Sequence, residues 1–267
     1  MTLIVIAIVV CVVVIIYFFM TSAQKPENGT WIKNYQYAHR GLHNEYYPEN
    51  SLEAFENAIK NNYAIELDVQ LSKDDEIMVF HDKELLRMTG RQGKASEFTV
   101  EELQAMKLQN TTSYIPTLKQ VLKTINGKVP VLIETKNEGK AGLLEIKLYE
   151  MMKDYQGKFA VQSFSPFSIG WFKKNAPEVL RGQLSCCFSV GAGYLSKIKT
   201  FLLCYLFTNF LCRPNFISYE VTGIKSMLIK RMKENGIPIL VWVERTPEEF
   251  HEYKKYVDTE IFEDFMP

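Results

Sequence analysis

The stretch Ile65-Glu66-Leu67-Asp68-Val69, followed after Gln70–Glu76 by Ile77-Met78-Val79-Phe80, decides how the rest of the chain is read. In a strand, successive side chains point to opposite faces, so Ile65, Leu67 and Val69 share one face and Glu66 and Asp68 the other. The link between the two runs is too short for a parallel crossover, which needs a dozen or more residues. The pair is therefore expected as an antiparallel hairpin. Working outward, the other strand candidates are Tyr35–Ala38, Val131–Thr135, Phe159–Gln162, Arg181–Ser185, Phe216–Tyr219, Ile239–Val243 and Ile261–Phe262. With Ile77–Phe80 set aside as the hairpin return, eight strands remain, most of them joined through helical patterns. Alternating β and α units imply a parallel sheet. Eight such units in about 230 residues fit a (β/α)8 TIM barrel; a doubly wound open sheet is the other arrangement. The segment His81–Pro116 then reads as an insertion after the second strand.

Helix punctuation supports this alternation. Asn50/Ser51 caps a helix running to about Lys60, and Thr99-x-x-Glu102 is a capping box. Ser165-Pro166 and Thr246-Pro247 each place a cap before a proline at the first helical position. Gly236 stands where the helix before Ile239 should stop.

The N-terminus has a different character. Leu3 to Met20 is an unbroken apolar run, at the lower end of what spans a bilayer as a helix. Nothing basic precedes it except the α-amino group, and it ends in Tyr17-Phe18-Phe19, an aromatic edge suited to an interface. Thr21-Ser22-Ala23 offers a signal-type cleavage site, but an uncleaved single-pass anchor is the favoured reading. Lys25 and Lys33 flank only its C-terminal side and are offset by Glu27, so charge does not orient it. The chain is thus divided into an anchor over residues 1–21, a linker over 22–34 containing Pro26, Asn28 and Gly29, and a barrel domain over 35–267.

Composition narrows the function classes. The 267 residues carry 31 Lys+Arg against 31 Asp+Glu, and this neutrality argues against a nucleic-acid partner. The 47% hydrophobic content excludes a disordered chain. The cysteines, Cys11, Cys186, Cys187, Cys204 and Cys212, are odd in number and lack C-x-x-C spacing, which speaks against structural zinc and a disulfide framework.

In a barrel of this type the chemistry sits at the C-terminal ends of the strands. The polar residues expected there are His39 and Arg40 after the first strand, Glu66 and Asp68 on the second, His81-Asp82 at the hairpin return, and Glu134 and Lys136 on the third; Trp242 lies near the end of the seventh. Acids inside a barrel are costly unless paired or bound to a cation. A carboxylate trio without sulfur suits a hard cation, Mg²⁺ or Ca²⁺. Salt bridges to Lys136 and Arg40 are the plainer use of the same residues. His39 and His81 titrate near neutral pH and can act as general acid or base. His43 and His251, in a loop and on a surface helix, receive no role.

These pieces, in order, resemble the glycerophosphodiester phosphodiesterase family: His39-Arg40-Gly41, Pro48-Glu49-Asn50-Ser51, Glu66-Leu67-Asp68-Val69 and Val79-Phe80-His81-Asp82, then Pro116-Thr117-Leu118, Glu134-Thr135-Lys136, Gln162-Ser163-Phe164 and Val241-Trp242. The resemblance runs from about Tyr37 to the C-terminus. It implies a TIM barrel with an insertion after the second strand and one divalent cation on Glu66, Asp68 and Glu134. It implies His39 and His81 as the acid/base pair, Arg40 and Lys136 on the phosphate, and hydrolysis of a glycerophosphodiester to glycerol 3-phosphate and an alcohol. The sequence departs from the family pattern in two places. The W-T-V-N run reads Trp242-Val243-Glu244-Arg245, and Glu263 stands where the C-terminal pattern has Thr.

A second apolar stretch, Phe201–Cys212, is too short to span a membrane. It is either a buried barrel helix or a surface that meets a membrane or another copy of the chain, with Lys197, Lys199 and Arg213 flanking it. The membrane reading would favour lysophospholipids as substrates, through a lysophospholipase D activity of the same site. A non-catalytic module that binds phosphodiesters is the alternative from another class.

Overall fold

Eight parallel strands close into a barrel in the computed structural model, which describes residues 2–137, 140–186 and 197–267. The strands are β1 (Tyr37–Ala38), β2 (Ala64–Leu71), β3 (Ile77–Val79), β4 (Val131–Thr135), β5 (Phe159–Ser163), β6 (Leu180–Ser185), β7 (Phe216–Glu220), β8 (Ile239–Glu244) and β9 (Thr259–Phe262). They run in the order β1-β9-β8-β7-β6-β5-β4-β2, and pairing of β1 with β2 closes the ring. β3 stands outside the ring, antiparallel to the C-terminal end of β2 with Val69 opposite Val79. This is the hairpin expected from the short link. The helices are α1 (Thr2–Met20), α2 (Leu52–Lys60), α3 (Leu86–Thr89), α4 (Val100–Gln104), α5 (Leu118–Ile125), α6 (Leu143–Met152), α7 (Pro166–Asn175), α8 (Lys197–Cys204), α9 (Asn209–Cys212), α10 (Met227–Glu234) and α11 (Pro247–Tyr253).

The local signals act as chemistry requires. The Ser51 hydroxyl accepts the Ala54 N–H at the start of α2, and Thr99 and Glu102 form a reciprocal capping box on α4. Ser165 and Thr246 cap α7 and α11 ahead of their prolines. Gly236 follows α10 with φ +77°, a conformation a side chain would resist. Side-chain alternation splits each strand. Ile65, Leu67, Val69, Ile133 and Val161 pack outward against the helix layer. Tyr37, Ala64, Leu132, Ala160, Phe216, Leu240 and Ile261 fill the barrel floor. There Gly182 on β6 faces Phe216 on β7, a small residue making room for a large one.

The N-terminal region is more integrated than a linker. Ile32 is fully buried in the barrel floor, on a short 3-10 turn over Thr30–Asn34. Gln24 accepts a hydrogen bond from the buried guanidinium of Arg181 at 3.0 Å. The aromatic end of α1 is also gripped. Phe19 packs on Phe210 and Tyr17 on Phe207. The Arg213 guanidinium lies 4.6 Å from the Phe19 ring, and that of Arg231 4.9 Å from Tyr17 and 4.8 Å from Phe18. The rest of α1 is exposed and apolar.

The second apolar stretch is divided. Leu206 and Cys212 are buried, whereas Ile198, Phe201 and Tyr205 are exposed at helical spacing around α8. Cys187 lies outside the described residues.

Candidate active site

Alternation along β2 turns Glu66 and Asp68 to the barrel interior, and register places Asp68 beside Glu134 of β4. The three carboxylates are buried, with one oxygen of each within 4.8 Å of the others. Burial, then the charges of Asp68 and Glu134, pushes Glu66 well above the ordinary carboxylate range. Burial likewise pushes Glu134 up to about 7, against the attraction of Lys136. Asp68 goes the other way: burial is outweighed by Lys136, His81 and Arg40, which hold it well below that range. An all-oxygen cluster of this kind, buried and short of positive charge, fits a hard divalent cation.

Two cations border the cluster. Lys136, on the residue after β4, reaches Asp68 Oδ1 at 3.0 Å and Glu134 Oε1 at 2.5 Å. The Arg40 Nε lies 3.5 Å from Asp68 Oδ2, and the Arg40 backbone N–H donates to Glu66 Oε2 at 3.1 Å. Arg40 has φ +55° and Gly41 φ +82°. A Cβ at Gly41 would come within 2.9 Å of Phe55 and 3.0 Å of Ala54, so only glycine lets this turn lie against α2. The plainer salt-bridge use of Lys136 and Arg40 is therefore present, and it leaves both beside the carboxylates.

His39 and His81 each present Nδ1 to a carboxylate. His39 pairs with Glu263 at 2.5 Å and His81 with Asp82 at 2.6 Å. Burial lowers the proton affinity of both rings. For His39 the Glu263 hydrogen bond opposes that effect; for His81 the charge of Asp68 does. His81, Glu134, Lys136, Ser163 and Phe164 line a cavity of about 510 Å³ at the barrel mouth. Trp242 packs edge-on against Phe164, ring centroids 5.6 Å apart, and its indole N–H donates to the Ser218 carbonyl. Its contact with the cavity is thus through Phe164.

Residues 39–266 match the model of the glycerophosphoryl diester phosphodiesterase family. The chain belongs to that family. YhdW of Bacillus subtilis (strain 168) is 32% identical over 219 residues, 78% of this chain and 85% of YhdW. The glycerophosphodiester phosphodiesterase of Thermotoga maritima, a crystal structure, is 27% identical with TM-score 0.65, covering 84% of this chain and 92% of that one. A phosphodiesterase of Oleispira antarctica, solved in complex with the product sn-glycerol-3-phosphate, shares the fold at TM-score 0.72 and 21% identity, over 86% and 92% of the two chains.

Several residues outside the expected site have structural work to do there; Asn50, expected only as a helix cap beside Ser51, is one of them. Asn50, with φ +57°, donates through Nδ2 to Asp68 Oδ2 at 2.9 Å and accepts the Asp68 backbone N–H. Glu49 binds Arg40 Nη1 at 2.8 Å. Arg87, from the insertion, grips both Glu49 and Asp82 and so ties the two histidine-bearing segments together. Glu49 and Asn50 lie within a family motif, the one sequence feature that connects them with the site. Arg87 carried none. Glu263 and Arg245 were visible only as departures. His43, given no role, lies with Nε2 3.6 Å from Glu263 Oε2.

Proposed function

We propose that this member of the family, a glycerophosphodiester phosphodiesterase, hydrolyses its substrate with the help of one divalent cation and two histidines. What supports the reading most is the buried carboxylate cluster, bordered by two cations and with two carboxylate-backed histidines at the same barrel mouth. Glu66, Asp68 and Glu134 would hold the cation, Mg²⁺ or Ca²⁺, which supplies neutralisation of phosphoryl charge when bound. Arg40 and Lys136 bind the phosphodiester oxygens and favour the extra charge of the transition state. One histidine accepts a proton from the attacking hydroxyl or water, and the other donates one to the departing alcohol oxygen. Water thus replaces the alcohol on phosphorus, leaving glycerol 3-phosphate. Phe164, backed by Trp242, walls the side of the cavity for the organic part of the substrate.

We also read α1 as a retained single-pass membrane anchor ahead of the barrel domain. A cleaved signal has no need of contacts with the mature fold, yet Tyr17, Phe18 and Phe19 are held by Phe207, Phe210, Arg213 and Arg231. The exposed face of α8 lies on the connection between β6 and β7, which carries Phe207, Phe210 and Arg213. It fits a bilayer surface, and this favours lysophospholipids as a second substrate class.

The test uses the full chain in detergent, stripped with chelator and resupplied with Mg²⁺ or Ca²⁺. Glycerol 3-phosphate release from glycerophosphocholine should return with metal and vanish in His39→Ala and Glu66→Ala. Choline release from lysophosphatidylcholine alone would move the assignment to lysophospholipase D. No turnover of either by the folded, metal-loaded protein would leave the non-catalytic binding module as the better description.

A further inference from the structure

We propose that Glu263, itself held by Arg245, is the positioning residue of His39, fixing the ring with Nδ1 as donor so that Nε2 is the atom left to exchange protons. The inference rests on the acid/base reading of His39 given above.

It begins with strand register. β1 and β9 are parallel, with Tyr37 beside Ile261 and Ala38 beside Phe262, and the His39 N–H donates to the Phe262 carbonyl at 2.9 Å. Tyr37 and Ile261 both pack in the barrel floor. Two residues on, alternation turns His39 and Glu263 inward as neighbours. Their side chains are 13% and 12% exposed, and Nδ1 meets Glu263 Oε2 at 2.5 Å. Arg245 follows β8, the other neighbour of β9, and its Nη2 lies 2.5 Å from Glu263 Oε1. One carboxylate oxygen therefore serves His39 and the other Arg245. Burial opposes ionisation of Glu263, but the bond from His39, with His43 and Arg245 nearby, holds it well below the ordinary carboxylate range.

An ionised carboxylate can only accept hydrogen bonds, so His39 Nδ1 must donate. In the neutral ring Nε2 then carries the lone pair. When Nε2 takes a proton, the imidazolium faces an anion that was in place beforehand, so little reorganisation is needed. The other charges acting on His39 are Arg40, its neighbour in sequence, and Asp68 of β2. Glu263 and Arg245 occupy the two places where the sequence departs from the family pattern, and the structure shows that these departures touch. Together they form one device: a carboxylate that raises the basicity of His39 and an arginine that tempers it.

The test compares full-chain wild type with Glu263→Gln, Glu263→Asp and Arg245→Asn, measuring kcat and KM for glycerophosphocholine across pH with saturating metal. Glu263→Gln keeps the shape and removes the charge. It should lower kcat about 10–100-fold with KM nearly unchanged, and move the limb of the profile that reports His39 to lower pH. Glu263→Asp should recover most of kcat. Arg245→Asn should move the same limb the opposite way, to higher pH, because the carboxylate then faces His39 and His43 without the competing guanidinium. Should Glu263→Gln fail to fold, the upward shift in Arg245→Asn carries the test, and an unmoved limb there would overturn the positioning role. Wild type without turnover, or His39→Ala with full turnover, would overturn the acid/base reading itself. Turnover that depends on His39, with Glu263→Gln matching wild type in kcat and pH profile, would overturn the positioning role alone.

Discussion

Lys136→Met separates a cation site from a simple set of salt bridges. The Lys136 ammonium lies 3.0 Å from Asp68 and 2.5 Å from Glu134, and its side chain is 20% exposed. Removing it leaves three buried carboxylates within 4.8 Å of one another. Removing one partner of a buried ion pair costs about 3–5 kcal/mol, and partial exposure points to the low end, about 3 kcal/mol. For a barrel of this size that is a fall in Tm of about 6–12 °C. Part of the cost is avoided if Glu134, pushed up to about 7, takes a proton instead. Loss of Lys136, which lowers Glu134, raises that value further in the variant, so the measurement belongs at about pH 8.5, where the escape is smaller than at neutral pH. A divalent cation bound to the folded state stabilises it by about 2.7 kcal/mol at a hundredfold excess over Kd. The variant, with one positive charge fewer, should bind the cation more tightly than wild type. The assay is thermal unfolding of both proteins in chelator and in excess Mg²⁺ or Ca²⁺. The expected result is a large Tm gap in chelator that narrows with metal. The same gap under both conditions, or no gap in chelator, would refute the claim that Lys136 and a cation share the neutralisation of this cluster.

Three further outcomes are expected. Glu244 is 1% exposed with neither carboxylate oxygen hydrogen-bonded, and burial, with Glu260 and Glu249 nearby, pushes it up to about 8. A folded value above the unfolded one means its contribution is favourable below the unfolded value and lost as pH rises through about 8. Glu244→Gln should thus gain in Tm over wild type at about pH 9 and lose that advantage in mild acid; equal Tm differences at both pH values would sink this reading. Gly182→Ala would place a methyl 2.0 Å from the Phe216 ring. Overpacking of this kind costs about 1–3 kcal/mol, and urea unfolding should show a lower midpoint at unchanged slope. Arg87→Ala releases Glu49 and Asp82 together. A fall in kcat of about tenfold with little change in Tm is expected, because the arginine is half-exposed and serves the site rather than the core; a Tm loss with kcat intact would contradict that role.

What the sequence by itself determined here is periodicity and punctuation. Alternation in Ile65–Val69 put Glu66 and Asp68 on one face, and the short Gln70–Glu76 link made the next strand antiparallel. Caps and prolines marked the helix starts because they satisfy backbone groups within a few residues. Every one of these signals is local. Pairings between distant segments were decided only by the tertiary structure. Glu263 meets His39 because β1 and β9 are adjacent and in register. Arg87 reaches Glu49 because the insertion folds back over the mouth. Ile32 enters the barrel floor although its flanking composition reads as a linker. A ring closed from distant strands brings such residues to within a few ångströms, and no spacing along the chain encodes which of them will face one another.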